Sequence, residues 1–180
     1  MYLNKNINCL LIFFLTFLVF STQQSVAHDQ RTFHPPHTEA ERTLDALLNS
    51  DYWYMLAVNS YDKKLEKRYA HLFSKKLLNL WRKREKELVQ ENCGGQYIQG
   101  NQCGFDYSPL TCAQDAPNAY FYRTLSQNNS MVIIQSAWSF NDPDETFTPY
   151  ATYQLIKQGK RWILDDVACR DHGKIVARFN

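Results

Sequence analysis

The chain has 180 residues, with 20 Lys and Arg against 18 Asp and Glu, and 14% of its residues are aromatic. A formal net charge of +2 gives no general electrostatic case for nucleic acid or an anionic membrane as a partner. The length suits one domain with a real core and is short for two.

The first predicted element is a leader. Lys5 precedes a run from Cys9 to Phe20 in which only Thr16 is polar. That run is shorter than the roughly 20 apolar residues a membrane-crossing helix needs. Ser25-Val26-Ala27 then gives the small-x-small pattern of a signal-peptidase site. Residues 1–27 are therefore expected to be a removed signal peptide, with a periplasmic or secreted product and no stable membrane span after cleavage. Cys9 sits inside the apolar run, a poor place for lipid attachment. Its loss leaves Cys93, Cys103, Cys112 and Cys169, an even number bound for an oxidising compartment, which predicts two disulfides. Zinc sites built on cysteine show two close pairs such as C-x2-C, and these spacings lack them, so neither metal nor cofactor is expected.

Residues 28–37 read HDQRTFHPPH, a polar, proline-rich, flexible lead-in. His28, His34 and His37 could bind a metal weakly, but a tail without a rigid frame does not fix ligands. Thr38 and Glu41 have the spacing of a capping box, so a helix starts there. Leu44, Leu47, Leu48, Tyr52, Met55 and Leu56 form its apolar stripe, and it is expected to end near Asn59. Ser74 is a cap for a second helix with Leu77, Leu78, Trp81 and Leu88 inward. Lys75, Lys76, Arg82, Lys83, Arg84 and Lys86, interleaved with Glu85 and Glu87, read as its solvated face.

Beyond Asn92 the helical period stops. CGGQYIQGNQC is rich in glycine and predicts a tight loop that a Cys93 to Cys103 bond would close. Pairing of neighbours then leaves Cys112 to join Cys169, one of three possible connectivities. Strands follow over residues 119–126, 131–140, 147–158 and 161–169, separated by turn residues, and the chain after Asp171 reads as a tail. Alternation in the last strand places Trp162, Leu164 and Asp166 on one face and Ile163, Asp165 and Val167 on the other. Helices followed by long antiparallel strands predict α+β: two or three helices packed on a strongly curved sheet, in one domain over residues 38–180.

Two stretches carry a resemblance. Tyr153, Leu155, Lys157, Gly159, Trp162, Leu164, Asp165, Asp166 and Val167 fit the ending Y-x-L-x-K-x-G-x-x-W-x-I-D-D-V, and Asp106, Pro109, Leu110, Gln114 and Asp115 fit D-x-x-P-L-x-x-x-Q-D. With the two helices, this resembles the nuclear transport factor 2-like superfamily, and within it a bacterial envelope family of secreted proteins and lipoproteins with no assigned function. The resemblance implies a cone: a bent antiparallel sheet around helices, open at a mouth.

Enzymes with such a cone use an Asp or His base facing a Tyr donor, chemistry that needs a carboxylate tuned by an apolar pocket. Asp106, Asp115 or Asp166 would be the carboxylate here and Tyr122 or Tyr153 the donor, with Trp138 and Trp162 as lining. The competing reading makes Asp106 and Asp115 turn or cap residues beside Pro109 and Pro117, and the aromatics core. No HExxH, phosphate loop, dinucleotide turn or G-x-S-x-G occurs in the chain. The expectation is thus a non-catalytic binding or accessory domain for an envelope protein or small ligand. The alternatives are an immunity protein against an envelope-acting toxin, or an isomerase or lyase using a pocket carboxylate.

Overall fold

A computed structural model describes residues 32–50, 68–114, 117–139, 149–171 and 174–178. The expected leader, the expected continuation of the first helix past Ser50, and Asp115 lie outside the described residues.

Helix α1 spans Glu39–Leu48. Its capping box is complete: the Glu41 amide donates to Thr38 Oγ1 at 3.1 Å, and the Thr38 amide donates to Glu41 Oε2 at 3.1 Å. Two of the amides that a helix start leaves without partners are thereby satisfied. Leu44, Leu47 and Leu48 are buried along its inner side. A 3-10 turn, Ala70–Leu72, leads to Ser74, whose hydroxyl accepts the Leu77 amide at 3.1 Å and starts α2, Lys75–Cys93. Leu77, Leu78 and Trp81 are buried as the spacing predicts. Leu88 is only half-buried, while Val89 is buried. Val89 lies one turn beyond Glu85, on the flank covered by the loop that follows the helix.

The strands are β1 Ala119–Gln127, β2 Met131–Ser139, β3 Pro149–Gln158, β4 Arg161–Asp171 and a short β5 Lys174–Arg178. They form one antiparallel sheet in the order β1-β2-β3-β4-β5. The four long strands fall where the sequence puts them; β5 occupies what reads as a tail. Two isolated bridges flank the sheet. His34 pairs with Tyr122 of β1, and Phe73 pairs with Leu164 of β4, where the Ser74 amide donates to the Leu164 carbonyl at 2.8 Å.

The two helices cover one face. Leu44, Leu47, Leu77 and Trp81 pack with Tyr122, Ile134, Tyr153, Leu155, Leu164 and Val167 into one cluster. The sheet is not strongly curled, in contrast to the expected cone. Its order is open, and among the described residues the helices and sheet meet through that packed cluster.

Each ladder carries one register shift. Between β3 and β4, Gln154 pairs with Asp166 and Leu155 with Leu164, so Asp165 is an extra residue. A bulge of this kind resets the two-residue alternation of side chains. The expected grouping of Trp162, Leu164 and Asp166 is corrected accordingly. Trp162, Leu164 and Val167 line the core. Asp166 belongs with Gln154 on the opposite face, where Arg178 Nε donates to its Oδ2 at 3.2 Å.

Candidate functional site: a loop framed by two disulfides

The residues between α2 and β1 form a loop tied at both ends. At the end of α2, Gly94 takes a left-handed conformation, φ 67°, that a residue with a Cβ rarely adopts. Its amide donates to the Gln90 carbonyl at 3.2 Å, and that of Gly95 to Val89 at 3.1 Å. The chain can therefore reverse at once and return alongside the helix. Cys93 and Cys103 close this reversal in a disulfide with a sequence separation of 10.

Glu85 of α2 organises what lies inside. Its carboxylate accepts the Phe105 amide at 3.0 Å and the Tyr97 hydroxyl. Asn92 Nδ2 adds a bond to the Cys103 carbonyl at 3.3 Å, and the Asn101 amide closes a turn onto Ile98 at 3.1 Å. Burial, then the hydrogen bond and negative charge of Glu85, push the Tyr97 hydroxyl well above the ordinary tyrosine range. Tyr97 thus remains a neutral donor anchored at its tip. Even so, Tyr97 is 45% and Ile98 47% exposed, among the few large apolar side chains of the described residues that reach solvent.

The second half of the loop faces inward. Phe105, Pro109 and Leu110 are buried. The Cys112 amide donates to the Ser108 carbonyl at 2.7 Å, and the Ser108 amide to Ala113 at 2.9 Å, which makes a tight turn. That turn presents the Leu110 carbonyl to the Tyr153 hydroxyl at 2.9 Å. Cys112, in left-handed backbone at φ 60°, joins Cys169 of β4 across a separation of 57. Both disulfides follow the nearest-neighbour pairing.

Of the nine residues singled out as pocket or motif candidates, Asp115 lies outside the described residues, and the other eight do not gather in one pocket. Asp106 and Gln114 stand exposed on the loop, and Pro109 is buried beneath it. Trp162, Tyr122 and Tyr153 are core. Trp138 is half-buried and stacks on Tyr150 with centroids 3.8 Å apart. Asp166 is on the far face of the sheet with Arg178. The tyrosine hydroxyls that would serve as acid donors are engaged elsewhere: Tyr153 on Leu110, and Tyr122 on Asp45 Oδ1 at 2.7 Å.

That Asp45–Tyr122 pair is a carboxylate facing a phenol, yet it ties α1 to β1 inside packed side chains. Burial, reinforced by the Asp45 hydrogen bond and charge, pushes the Tyr122 hydroxyl far above the usual range. The pair joins residues 77 apart in sequence, and no local pattern announces it. A cleft of about 690 Å³ lies at the β3–β4 turn, with Ile156, Ile163 and Phe73 on its walls and His71, Lys75 and Arg161 among its polar residues. Among the described residues no carboxylate lines it.

The fold and its bonds define a class: an α+β domain of two helices on an antiparallel meander, stapled by two disulfides and hence suited to an oxidising compartment. No helix among the described residues is long and apolar enough to cross a membrane. Compared with known proteins, the chain matches no family model, and no curated protein or solved structure is significantly similar to it.

Proposed function

We infer that the protein is an extracytoplasmic, non-catalytic binding domain, and that it holds a protein partner through the loop closed by Cys93 and Cys103. The observation that carries this reading is the exposure of Tyr97 and Ile98 on a segment closed by a disulfide and tied to Glu85. Apolar and aromatic groups held in one conformation lose little freedom on binding, so more of their contact energy survives as affinity. Arg82 and Lys86 stand exposed on α2, the helix whose Glu85 holds this loop, which favours a partner with acidic residues around an apolar notch.

The order of helices, loop and meander supports the likeness to nuclear transport factor 2-like domains. The shallow sheet and filled interior count against the pocket that an isomerase or lyase of that shape would need.

The test uses the full mature protein, wild type and Tyr97→Ala/Ile98→Ala, as bait in the extracytoplasmic fraction of its own cells. The expected result is a stoichiometric protein held by the wild type and lost with the variant, whose melting temperature is unchanged. Titrating the captured protein's own activity then separates an accessory role from immunity, since an immunity protein abolishes it. Equal capture by both forms would refute the loop as the contact.

A further inference from the structure

We propose that His34, His37 and Glu41 form a binding site for a divalent transition cation of the zinc type, which pins the segment ahead of α1 to the edge of the sheet. One ligating atom from each of the three residues lies within 4.8 Å of the others. That is a small side-chain rotation from the edges of about 3.3 Å that follow from zinc–nitrogen bonds of about 2.0–2.1 Å in a tetrahedron.

A histidine pair in a loose tail carries no site, but here the frame exists. The His34 amide donates to the Tyr122 carbonyl at 3.0 Å, and the Tyr122 amide returns a bond to His34 at 2.8 Å. Pro35 and Pro36 stiffen the two residues between the histidines. The His37 amide donates to Glu41 Oε2 at 3.2 Å, and Arg42 Nη1 donates to the His37 carbonyl at 2.5 Å. Backbone on both sides of the site is thereby fixed to α1 and β1.

The side chains are arranged as a ligand set requires. His34 Nδ1 lies 2.9 Å from the Pro35 carbonyl. A proton on Nδ1 donated there leaves Nε2 as the ligating nitrogen, and Nε2 is the atom that faces Glu41 Oε1 at 3.9 Å. An imidazole fixed by a backbone carbonyl through its other nitrogen is the usual support of a metal-bound histidine. His37 Nδ1 is 2.9 Å from Glu41 Oε2, and the two imidazoles stand side by side with ring centroids 4.1 Å apart. Glu41 is itself held from behind, since the Thr124 hydroxyl donates to Oε1 at 2.8 Å and the Thr38 amide to Oε2.

Charge completes the case. The Glu41 side chain is 0% exposed, and burying a carboxylate without a counter-charge is costly. A divalent ion held between Glu41 and the two imidazoles would supply that counter-charge. Two imidazoles and one carboxylate suit zinc, with water as fourth ligand. The His37 side chain, 40% exposed, leaves an entry path from solvent.

The experiment titrates Zn2+ alone into the full mature protein by calorimetry, with the histidine ring signals followed by NMR. Wild type is expected to bind one ion with shifts at His34 and His37, and saturating Zn2+ raises its melting temperature. His37→Ala should weaken binding at least about tenfold and cancel the rise. Glu41→Gln is a poor test because it also dismantles the helix cap. His37→Gln, which retains a donor near Glu41 but ligates zinc poorly, should lose affinity like His37→Ala, and this guards against a folding defect. Unchanged affinity in both His37 variants, or loss of binding on His71→Ala instead, would overturn the assignment.

Discussion

Removing the two disulfides separately should cost different amounts, and the difference can be worked from the chain. A crosslink stabilises chiefly by restricting the unfolded ensemble, more so for a longer closed loop. Separations of 10 and 57 give about 2.7 and about 4.2 kcal/mol from the loop-entropy relation at 25 °C. Cys112→Ala/Cys169→Ala is therefore expected to be less stable than Cys93→Ala/Cys103→Ala by roughly 1.5 kcal/mol. The residue at 112 adds a second, independent quantity. Its φ of 60° is a left-handed conformation that costs a residue with a Cβ about 1–2 kcal/mol. Cys112→Gly/Cys169→Ala should then recover about 1 kcal/mol of the loss, once glycine's greater freedom in the unfolded chain is allowed for. Urea unfolding of the three variants, compared at constant m-value, measures both quantities. Equal losses for the two disulfides would mean that the denatured chain already brings Cys112 and Cys169 together. Indistinguishable Ala and Gly variants would mean that residue 112 is not held left-handed.

Two further outcomes follow from side chains already placed. A Cβ on Gly104 would overlap the Glu85 carboxylate, so Gly104→Ala should expel Glu85 from Phe105 and Tyr97; amide exchange in residues 94–105 should quicken while that of the β2–β3 ladder does not change. Burial first, and Asp45 for two of the three, hold the hydroxyls of Tyr120, Tyr122 and Tyr153 above the ordinary tyrosine range. Below an unfolded tyrosine pKa of about 10 both states keep these protons and stability is level; above it the unfolded chain releases them first, so stability falls by roughly 1.4 kcal/mol per pH unit for each. Denaturant melts between pH 10 and pH 11 should show that decline, and Tyr122→Phe should make it shallower. A flat profile would refute the burial of these hydroxyls.

What could be read from the sequence is what nearby residues decide. Thr38 and Glu41 are three apart and cap a helix wherever they fall before an apolar stripe. Ser74 does the same for α2, and the turns at residues 128–130 and 159–160 separate strands whose extents hold within a few residues. The even cysteine count pointed to two disulfides, and the pairing of neighbours, one of three open to the sequence, is the one the structure holds. The face of Asp166 was out of reach, because the extra residue at Asp165 resets the alternation without any change in composition. The Asp45–Tyr122 bond and the His34–Tyr122 bridge were equally hidden, since each joins segments that meet only after the sheet has formed. The candidate site therefore moved from strand carboxylates to the loop, where exposure of Tyr97 and Ile98 is a property of the folded chain alone.

The bridges at His34 and Phe73 also bear on what this protein does at high concentration. An outer strand with its amides and carbonyls unoccupied is a template for another copy, and secreted sheet proteins risk stacking edge to edge into fibres. Here β1 is interrupted at Tyr122 by His34. The outer side of β4 is divided between Phe73 at Leu164 and β5 at Ala168 to Asp171, so no long, straight run is offered there. Protease trimming beyond His34 would therefore remove a safeguard against self-assembly, leaving the chain's solubility to depend on residues that contribute little to its core.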